Sequence, residues 1–87
     1  MDPQIWGSHA WIFLHCIAYT YPDNPTYQDK ISYLTFFSEL GKVLPCYTCR
    51  ENYKIHLLEN PLTLNTLSSK VKFNMWLNTL HNQVNKT

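Results

Sequence analysis

The chain of 87 residues is short enough for a single domain, and its 45% hydrophobic and 15% aromatic residues suffice for a core. Its net charge is +1 and it has no run of basic residues, which excludes a basic surface for binding nucleic acid. No apolar stretch approaches the roughly 18 residues of a membrane span, and the N-terminus lacks a signal-peptide pattern. We therefore expect one domain over residues 1–87, with neither nucleic acid nor membrane as a partner.

The first predicted helix runs over residues 4–21. Apolar and aromatic side chains recur there at steps of three and four, which places them on one helical face. The members of this face are Gly7, Trp11, Leu14, His15, Ala18 and Tyr21. Pro22 ends the pattern, because the residue before a proline disfavours helical geometry, and a turn cluster follows over residues 22–25.

The second predicted helix runs over residues 26–43 and begins at Thr26, a typical N-cap residue. One face carries a stripe of apolar residues, which is wide enough for a bundle helix rather than a two-stranded coil. The stripe consists of Ile31, Leu34, Phe37, Leu40 and Leu44, widened by Phe36 and Val43. Gly41 is expected to weaken the last turn, since glycine is a poor helix former.

The third predicted helix runs over residues 45–59 and opens at Pro45, whose missing N–H would have no intrahelical partner there. The fourth runs over residues 66–85, with Asn65 or Ser68 as its cap. Its apolar stripe consists of Phe73, Trp76, Leu77, Leu80 and Val84. Four amphipathic helices with short connectors predict an all-α, up-and-down four-helix bundle.

Two of the three cysteines, Cys46 and Cys49, lie three residues apart at the start of the third helix. Thiolate is favoured at the positive end of a helix and is the reactive form of cysteine, so the pair predicts a redox dithiol. A thioredoxin-like site would need strands, which this chain does not offer. A zinc site completed by His56 or His81, and a purely structural pair, remain alternatives. The third cysteine, Cys16, is interpreted as a small buried residue, with an intersubunit or shuttle thiol as the alternative.

Two helices of the predicted bundle bring polar and aromatic side chains toward its interior. Trp11 and His15 lie one turn apart on the first helix, and the fourth helix adds His81 with Asn82 and Asn85 beside it. Burying these groups without partners would cost several kcal/mol. A flat ligand with many hydrogen-bonding groups, such as a flavin, would satisfy them. A hydrogen-bonded network within the core is the alternative.

These residues resemble the motifs of the Erv/ALR family of FAD-linked sulfhydryl oxidases over nearly the whole chain. Residues 7–15 resemble the first-helix motif, with Gly, Trp and His at spacings of four and four, and residues 18–26 resemble the end of that helix. Residues 44–49 are similar to the active-site dithiol of the family. Residues 73–86 resemble its fourth-helix signature, which ends in His-Asn-x-Val-Asn. Each motif alone is weak or moderate, but all of them in order are specific.

The resemblance implies a four-helix bundle that holds FAD, with the isoalloxazine among the helices and the dithiol against its C4a edge. It implies that two thiols are oxidised to a disulfide, with electrons passing from Cys46 and Cys49 to FAD and then to O₂ to give hydrogen peroxide. Thiol-containing proteins would be the substrates, and members are usually homodimers. The implied cofactor-binding positions are Gly7, Trp11, His15, Tyr21, His81, Asn82, Asn85 and Lys86.

Within this framework the two cysteines have different expected roles. Cys46 should be the more accessible and meet the substrate, and Cys49, one turn deeper, should reduce the flavin. The chain lacks the shuttle CxxC and the short fifth helix of many members, and it looks most like the compact members of large DNA viruses. It is expected to be a minimal member or a fragment that lacks residues after Thr87. The rival function is a non-enzymatic helical interaction module with a structural or zinc-binding CxxC.

Overall fold

The computed structural model describes residues 1–87 and contains four α-helices and no strand. The helices are α1 (Pro3–Tyr19), α2 (Tyr27–Val43), α3 (Tyr47–Glu59) and α4 (Lys70–Asn85), with a 3₁₀ turn, Thr66–Ser68, before α4. The predicted all-α four-helix fold is therefore confirmed. None of the four helices combines the length and apolarity that crossing a membrane requires.

Side-chain caps explain where two of the helices begin. Thr26 caps α2 as predicted, since its hydroxyl accepts a hydrogen bond from the Asp29 N–H at 3.0 Å while the Asp29 carboxylate accepts from the Thr26 N–H at 2.9 Å. The predicted caps of α4 are wrong. Asn65 and Ser68 belong to the 3₁₀ turn, where the Ser68 hydroxyl donates to the Asn65 carbonyl at 2.6 Å. Ser69 is extended, and its hydroxyl caps α4 by accepting a hydrogen bond from the Lys72 N–H at 3.1 Å.

Antiparallel contacts connect α1 to α4, α4 to α3 and α3 to α2. The amide of Asn74 on α4 donates to the Ala18 carbonyl on α1 at 2.9 Å. The indole N–H of Trp76 donates to the Asn60 carbonyl after α3 at 2.9 Å. No Cα atom of α1 lies within 8 Å of one in α2, so the bundle is open between these two helices.

The core is aromatic and lies toward one end of the bundle. The ring centroid of Phe37 lies 5.5 Å from that of Phe73 and 5.4 Å from that of Trp76, both edge to face. The Tyr21 ring lies 4.9 Å from Phe73, and its hydroxyl donates to the Leu67 carbonyl at 2.5 Å. These contacts tie α2, α4, the residues directly after α1 and the 3₁₀ turn together at this end.

The opposite end is much less well packed. All 11 buried residues fall within residues 14–37 and 53–80. The start of α1, the end of α2, the start of α3 and the end of α4 meet at the other end, and none of them contributes a fully buried residue. We call this end, formed by residues 1–13, 38–52 and 81–87, the mouth. Because Cys46 and Cys49 lie within it, the dithiol sits at the open end of the bundle.

Gly41 of α2 lies against the Tyr53 ring of α3. A Cβ atom at this position would lie 2.8 Å from Tyr53 Cε1 and closer still to Cδ1. The Tyr53 hydroxyl donates to the Phe37 carbonyl at 2.5 Å, and burial raises the pKa of Tyr53. Glycine is therefore needed for the close packing of α3 on α2. Val43 was predicted to widen the buried stripe, but it is 72% exposed, because it lies at the last residue of α2, beyond the aromatic core.

Candidate functional site

Cys46 and Cys49 form a disulfide at the start of α3, with their Cα atoms 5.1 Å apart. Cys46 is the N-cap residue, and its Sγ accepts a hydrogen bond from the Cys49 N–H at 3.2 Å. The prediction that Pro45 occupies the first helical turn is wrong, since α3 begins at Tyr47. The Cys46 sulfur takes the place of the usual capping oxygen, because it lies beside a backbone N–H that the first turn leaves free.

This capping contact distinguishes the two sulfurs chemically. Both cysteines are half-buried, so their burial does not show which sulfur is easier for a substrate to reach. The Cys46 sulfur, however, lies at the positive end of α3 and within hydrogen-bond distance of an N–H. Both features stabilise a thiolate at Cys46 once the disulfide is opened. Cys46 is therefore a good leaving group when a mixed disulfide between it and a substrate is resolved.

Arg50 supports the segment before the disulfide. Its Nη1 donates to the Leu44 carbonyl at 2.6 Å, and its guanidinium carbon lies 5.9 Å from the centre of the Tyr47 ring. The contact to Leu44 fixes the chain that leads into Cys46 and leaves a positive charge next to the pair. Sequence reasoning missed Arg50, although its position directly after the CxxC is a usable signal.

A groove of about 670 Å³ lies between α1 and α4. The rings of Trp11 and His81 are stacked there, with their centroids 4.0 Å apart and their planes inclined by 10°. His15 Nε2 lies 3.1 Å from His81 Nδ1, so one of the two nitrogens carries the shared proton. Gly7 and Asn85 also line the groove. The structure thus brings five of the predicted cofactor positions to one surface.

The other three predicted positions lie elsewhere. Tyr21 is in the core, where its hydroxyl donates to the Leu67 carbonyl. Asn82 and Lys86 are exposed and do not line the groove. The disulfide does not line it either, because the groove follows α1 and α4 whereas the disulfide begins α3.

Sequence reasoning missed several residues of the groove wall. Ser8, Ile12 and Cys16 line it, each one position after a predicted member of the first-helix face, and Tyr19 extends their row. The interpretation of Cys16 as a buried residue is wrong, since this thiol is exposed. One step along a helix turns a side chain by about 100°, which moves Cys16 from the His15 face to the outer rim.

Burial lowers the pKa of His81, and the adjacent His15 lowers it further. The unfolded chain therefore binds a proton at His81 more readily than the folded chain does. We expect the melting temperature to fall as the pH decreases below 6.5, the ordinary pKa of a histidine. The part of this fall that is due to His81 should level off once the pH is below the lowered pKa of the folded protein. Thermal unfolding followed by circular dichroism between about pH 7.5 and about pH 5.5 measures this.

A His81→Gln variant is the control for this pH dependence, because glutamine keeps hydrogen-bonding groups but has no charge to gain. It should flatten the decline in melting temperature on the acid side. An identical decline in the variant and the wild type would assign the effect to other groups.

The zinc alternative needs two ligands besides the cysteines. The structure contains no group of three or more His, Cys, Asp or Glu side chains placed to hold a metal ion.

The sequence is similar to proteins of viruses and plants. The sequence profile of the Erv1/Alr family matches residues 8–87. A protein of Acanthamoeba polyphaga mimivirus, named a probable FAD-linked sulfhydryl oxidase, is 47% identical over 85 residues, which are 98% of this chain and 59% of that protein. An FAD-linked sulfhydryl oxidase of African swine fever virus is 35% identical over 81 residues, which are 93% of this chain and 66% of that protein.

A plant relative shows the same extent of similarity. An FAD-linked sulfhydryl oxidase of Arabidopsis thaliana is 35% identical over 81 residues, which are 93% of this chain and 41% of that protein. The chain spans between 41% and 66% of the length of these three relatives. The region that matches the family includes both cysteines of the disulfide and both histidines of the groove. The chain therefore belongs to the Erv1/Alr family.

Proposed function

We propose that this protein is an FAD-dependent thiol oxidase that forms disulfide bonds in protein substrates. The observation that carries the proposal is the Cys46–Cys49 disulfide, which caps α3 at the open mouth of the bundle. A redox disulfide must be reached by a substrate thiol on one side and by an electron acceptor on the other, and the mouth leaves room for both. The names of the relatives, FAD-linked sulfhydryl oxidases, support the same activity.

The residues present fit FAD as the cofactor. No Cα atom of α1 lies within 8 Å of one in α2, and the mouth contains no fully buried residue, which leaves space for a flat ring. Some buried polar atoms have no hydrogen-bond partner in the protein, and a heteroaromatic ligand could form hydrogen bonds with them. The residues proposed to hold FAD are Gly7, Trp11, His15, His81 and Asn85 of the groove, with Tyr21, Asn82 and Lys86 added by the family resemblance. When bound, FAD supplies an acceptor for two electrons and a route from there to dioxygen.

The cysteine pair carries out the thiol chemistry by two exchanges. A substrate thiolate attacks Cys46 Sγ, a new S–S bond forms, and the Cys46–Cys49 bond breaks with the electron pair leaving on Cys49. The second substrate thiolate then attacks the mixed disulfide, and Cys46 leaves as a thiolate. The Cys49 N–H and the N-terminus of α3 stabilise that leaving thiolate.

The overall reaction balances in electrons and protons. The substrate dithiol loses two electrons and two protons and becomes a disulfide, and the cysteine pair becomes a dithiol. Returning the pair to its disulfide requires the same two electrons to leave the protein. With O₂ as the final acceptor, two electrons and two protons give one hydrogen peroxide for each disulfide formed.

A visible absorption spectrum and an oxygen electrode test this function together. We expect the purified protein to be yellow, with about one flavin per chain, and to consume oxygen when a dithiol is added. A colourless protein that carries stoichiometric zinc and consumes no oxygen would instead favour the helical interaction module.

We also propose that the protein is a homodimer that pairs through α1. Four large apolar side chains of α1 are exposed, two of them in the wall of the groove, and a row of this kind on one helix is typical of an interface. They are Ile5, Ile12, Phe13 and Tyr19, each more than 60% exposed.

Light scattering after gel filtration measures the dimer. We expect twice the 10.3 kDa mass of the chain for the wild type and a single chain mass for Phe13→Glu, since a buried unpaired carboxylate is costly. Tyr27→Glu is the matched control, because Tyr27 is similarly exposed but lies on α2. Equal masses for the two variants would show that α1 does not form the dimer interface.

A further inference from the structure

A second groove, of about 300 Å³, lies between α2 and α3 and has a positively charged wall. Lys42 lines it from α2, and Arg50 and Lys54 line it from α3. Glu51 is the only carboxylate in the wall. The whole chain has seven lysines and arginines against six acidic residues, so this wall concentrates positive charge locally. A groove of this kind attracts an anionic group.

The two lysines of the wall are held only by weak contacts within the protein. Lys42 Nζ lies 3.1 Å from Glu39 Oε1, and Lys54 Nζ lies 3.6 Å from Glu51 Oε2. All four side chains are exposed, and exposed ion pairs contribute little to stability because water and salt screen them. Both lysines can therefore exchange these partners for an incoming carboxylate at little cost.

Arg50 is the cation best placed to bind a carboxylate. It takes part in none of the three ion pairs of the structure. Its Nη1 donates to the Leu44 carbonyl, which orients the guanidinium and leaves its other N–H groups without a protein partner. An arginine that is already oriented loses little freedom on binding, and its hydrogen bonds to a carboxylate are strong.

The groove begins beside the disulfide. Arg50 directly follows Cys49 and lies about 6 Å along α3 from Cys46, and Lys54 lies about 6 Å further along. An extended chain advances about 3.3 Å per residue, and alternate side chains point to the same side. A substrate whose cysteine reaches Cys46 therefore brings its second residue from that cysteine to Arg50 and its fourth to Lys54.

We propose that this groove binds an acidic segment next to the reactive cysteine of a substrate protein. It makes the enzyme prefer substrates with Asp or Glu two and four positions from that cysteine. The proposal rests on the proposed function, because it names the substrates of the same disulfide. Lys42, Arg50 and Lys54 determine specificity by holding the substrate chain, and they take no part in thiol exchange. The groove is separate from the one between α1 and α4 to which the cofactor is assigned.

The test on the wild type compares two dithiol peptides by oxygen consumption of the flavin-loaded protein. One peptide carries glutamate at the second and fourth positions outward from each cysteine, and the other carries lysine there. Each kcat/KM is divided by the rate of the same peptide with a small disulfide reagent, since flanking charges also change thiol reactivity. We expect the glutamate peptide to be preferred about tenfold at low salt, because each exposed charge pair contributes up to about fivefold.

Salt provides a check that needs no variant. In about 0.5 M NaCl the preference should fall to about twofold or less, because the exposed charges are then screened. Equal normalised values for the two peptides at low salt would overturn the proposal. A preference that salt does not reduce would overturn it as well.

A double variant, Lys42→Gln with Lys54→Gln, should reduce the preference for the glutamate peptide from about tenfold to about twofold. Lys30→Gln with Lys72→Gln is the matched control, because it removes the same two charges from positions outside the groove. The control should keep the preference of the wild type. An equal reduction in both double variants would assign the preference to net charge and overturn the role of the groove.

Glu51→Gln should change the preference in the opposite direction. It removes the only carboxylate of the wall, so the preference for the glutamate peptide should rise by about threefold. Damage to the fold would not produce such a rise. An unchanged preference in this variant would contradict the proposed groove.

Flavin content, measured for every variant, separates the groove from the cofactor site. If the Lys42 and Lys54 replacements release flavin and leave the preference unchanged, the groove holds the phosphates of the cofactor and the proposal is wrong. If the wild type oxidises both peptides equally well, the substrate preference is wrong and the oxidase proposal stands. If it oxidises neither peptide and no small dithiol, the proposed function itself fails.

Discussion

A Cys49→Ser variant is expected to lose thiol oxidation down to the background rate of the buffer while keeping its flavin. Without Cys49 the chain cannot form the disulfide that caps α3, so a substrate dithiol has no S–S bond to attack. The serine still leaves the backbone N–H in place, so α3 should begin at the same residue. Oxygen consumption with a dithiol substrate and the flavin content after gel filtration measure the two parts of this prediction.

Cys46→Ser is the natural comparison, because it breaks the same disulfide and should be equally inactive. The two variants should differ in mixed-disulfide formation. Cys49→Ser keeps the sulfur at the helix N-terminus, where a thiolate is stabilised, and should attack an added small-molecule disulfide more readily, forming a lasting mixed disulfide and releasing the other half of the reagent as a thiol. Substantial turnover by Cys49→Ser would show that the Cys46–Cys49 disulfide is not required for the reaction. Faster trapping by Cys46→Ser would reverse the roles of the two cysteines.

A Gly41→Ala variant is expected to lose about 2 kcal/mol of stability, although alanine is the better helix former. The added Cβ would overlap the Tyr53 ring, and overpacking of this kind costs up to about 3 kcal/mol, against a gain of about 1 kcal/mol in helix propensity. The ring cannot move aside easily, since its hydroxyl is bonded to the Phe37 carbonyl. For a chain of this size the loss corresponds to a melting temperature about 10 °C lower.

Gly7→Ala is the matched control for this effect, because no atom lies within 4 Å of the position that its Cβ would take. It should stabilise the flavin-free protein by up to about 1 kcal/mol through helix propensity alone. Combining Gly41→Ala with Tyr53→Ala should show strong non-additivity, because removal of the ring removes the clash. A neutral Gly41→Ala would mean that α2 and α3 can separate without cost.

Much of the fold followed from local sequence. Periodic apolar residues, prolines and the Thr26 capping box are short-range signals, and they gave four helices whose bounds agree with the structure within a few residues. The first residue of α4 was harder to predict from the sequence, since Ser68 and Ser69 are both good N-cap residues. The Ser68 hydroxyl turns back to the Asn65 carbonyl, and only this contact leaves Ser69 to begin the helix.

The candidate site was only partly accessible from sequence. The spacing of Gly7, Trp11 and His15 and the His-Asn motif of α4 placed five positions on one groove, because side chains four residues apart share a helical face. Tyr21 continues the same periodic face, yet it lies in the core. Periodicity identifies a face, but it does not say what that face packs against at each level of the bundle.

By itself the sequence determined the helices, the reactive cysteine spacing and the family, because each depends on residues close together in the chain or on motifs in a set order. Only the tertiary structure decided that Gly41 is required by the Tyr53 ring and that Cys46 caps α3 with its sulfur. It alone showed that Lys42, Arg50 and Lys54 line one groove between α2 and α3. These features depend on the distance between helices and on which end of the bundle fills with aromatic rings, and such distances arise from packing between residues far apart in the chain.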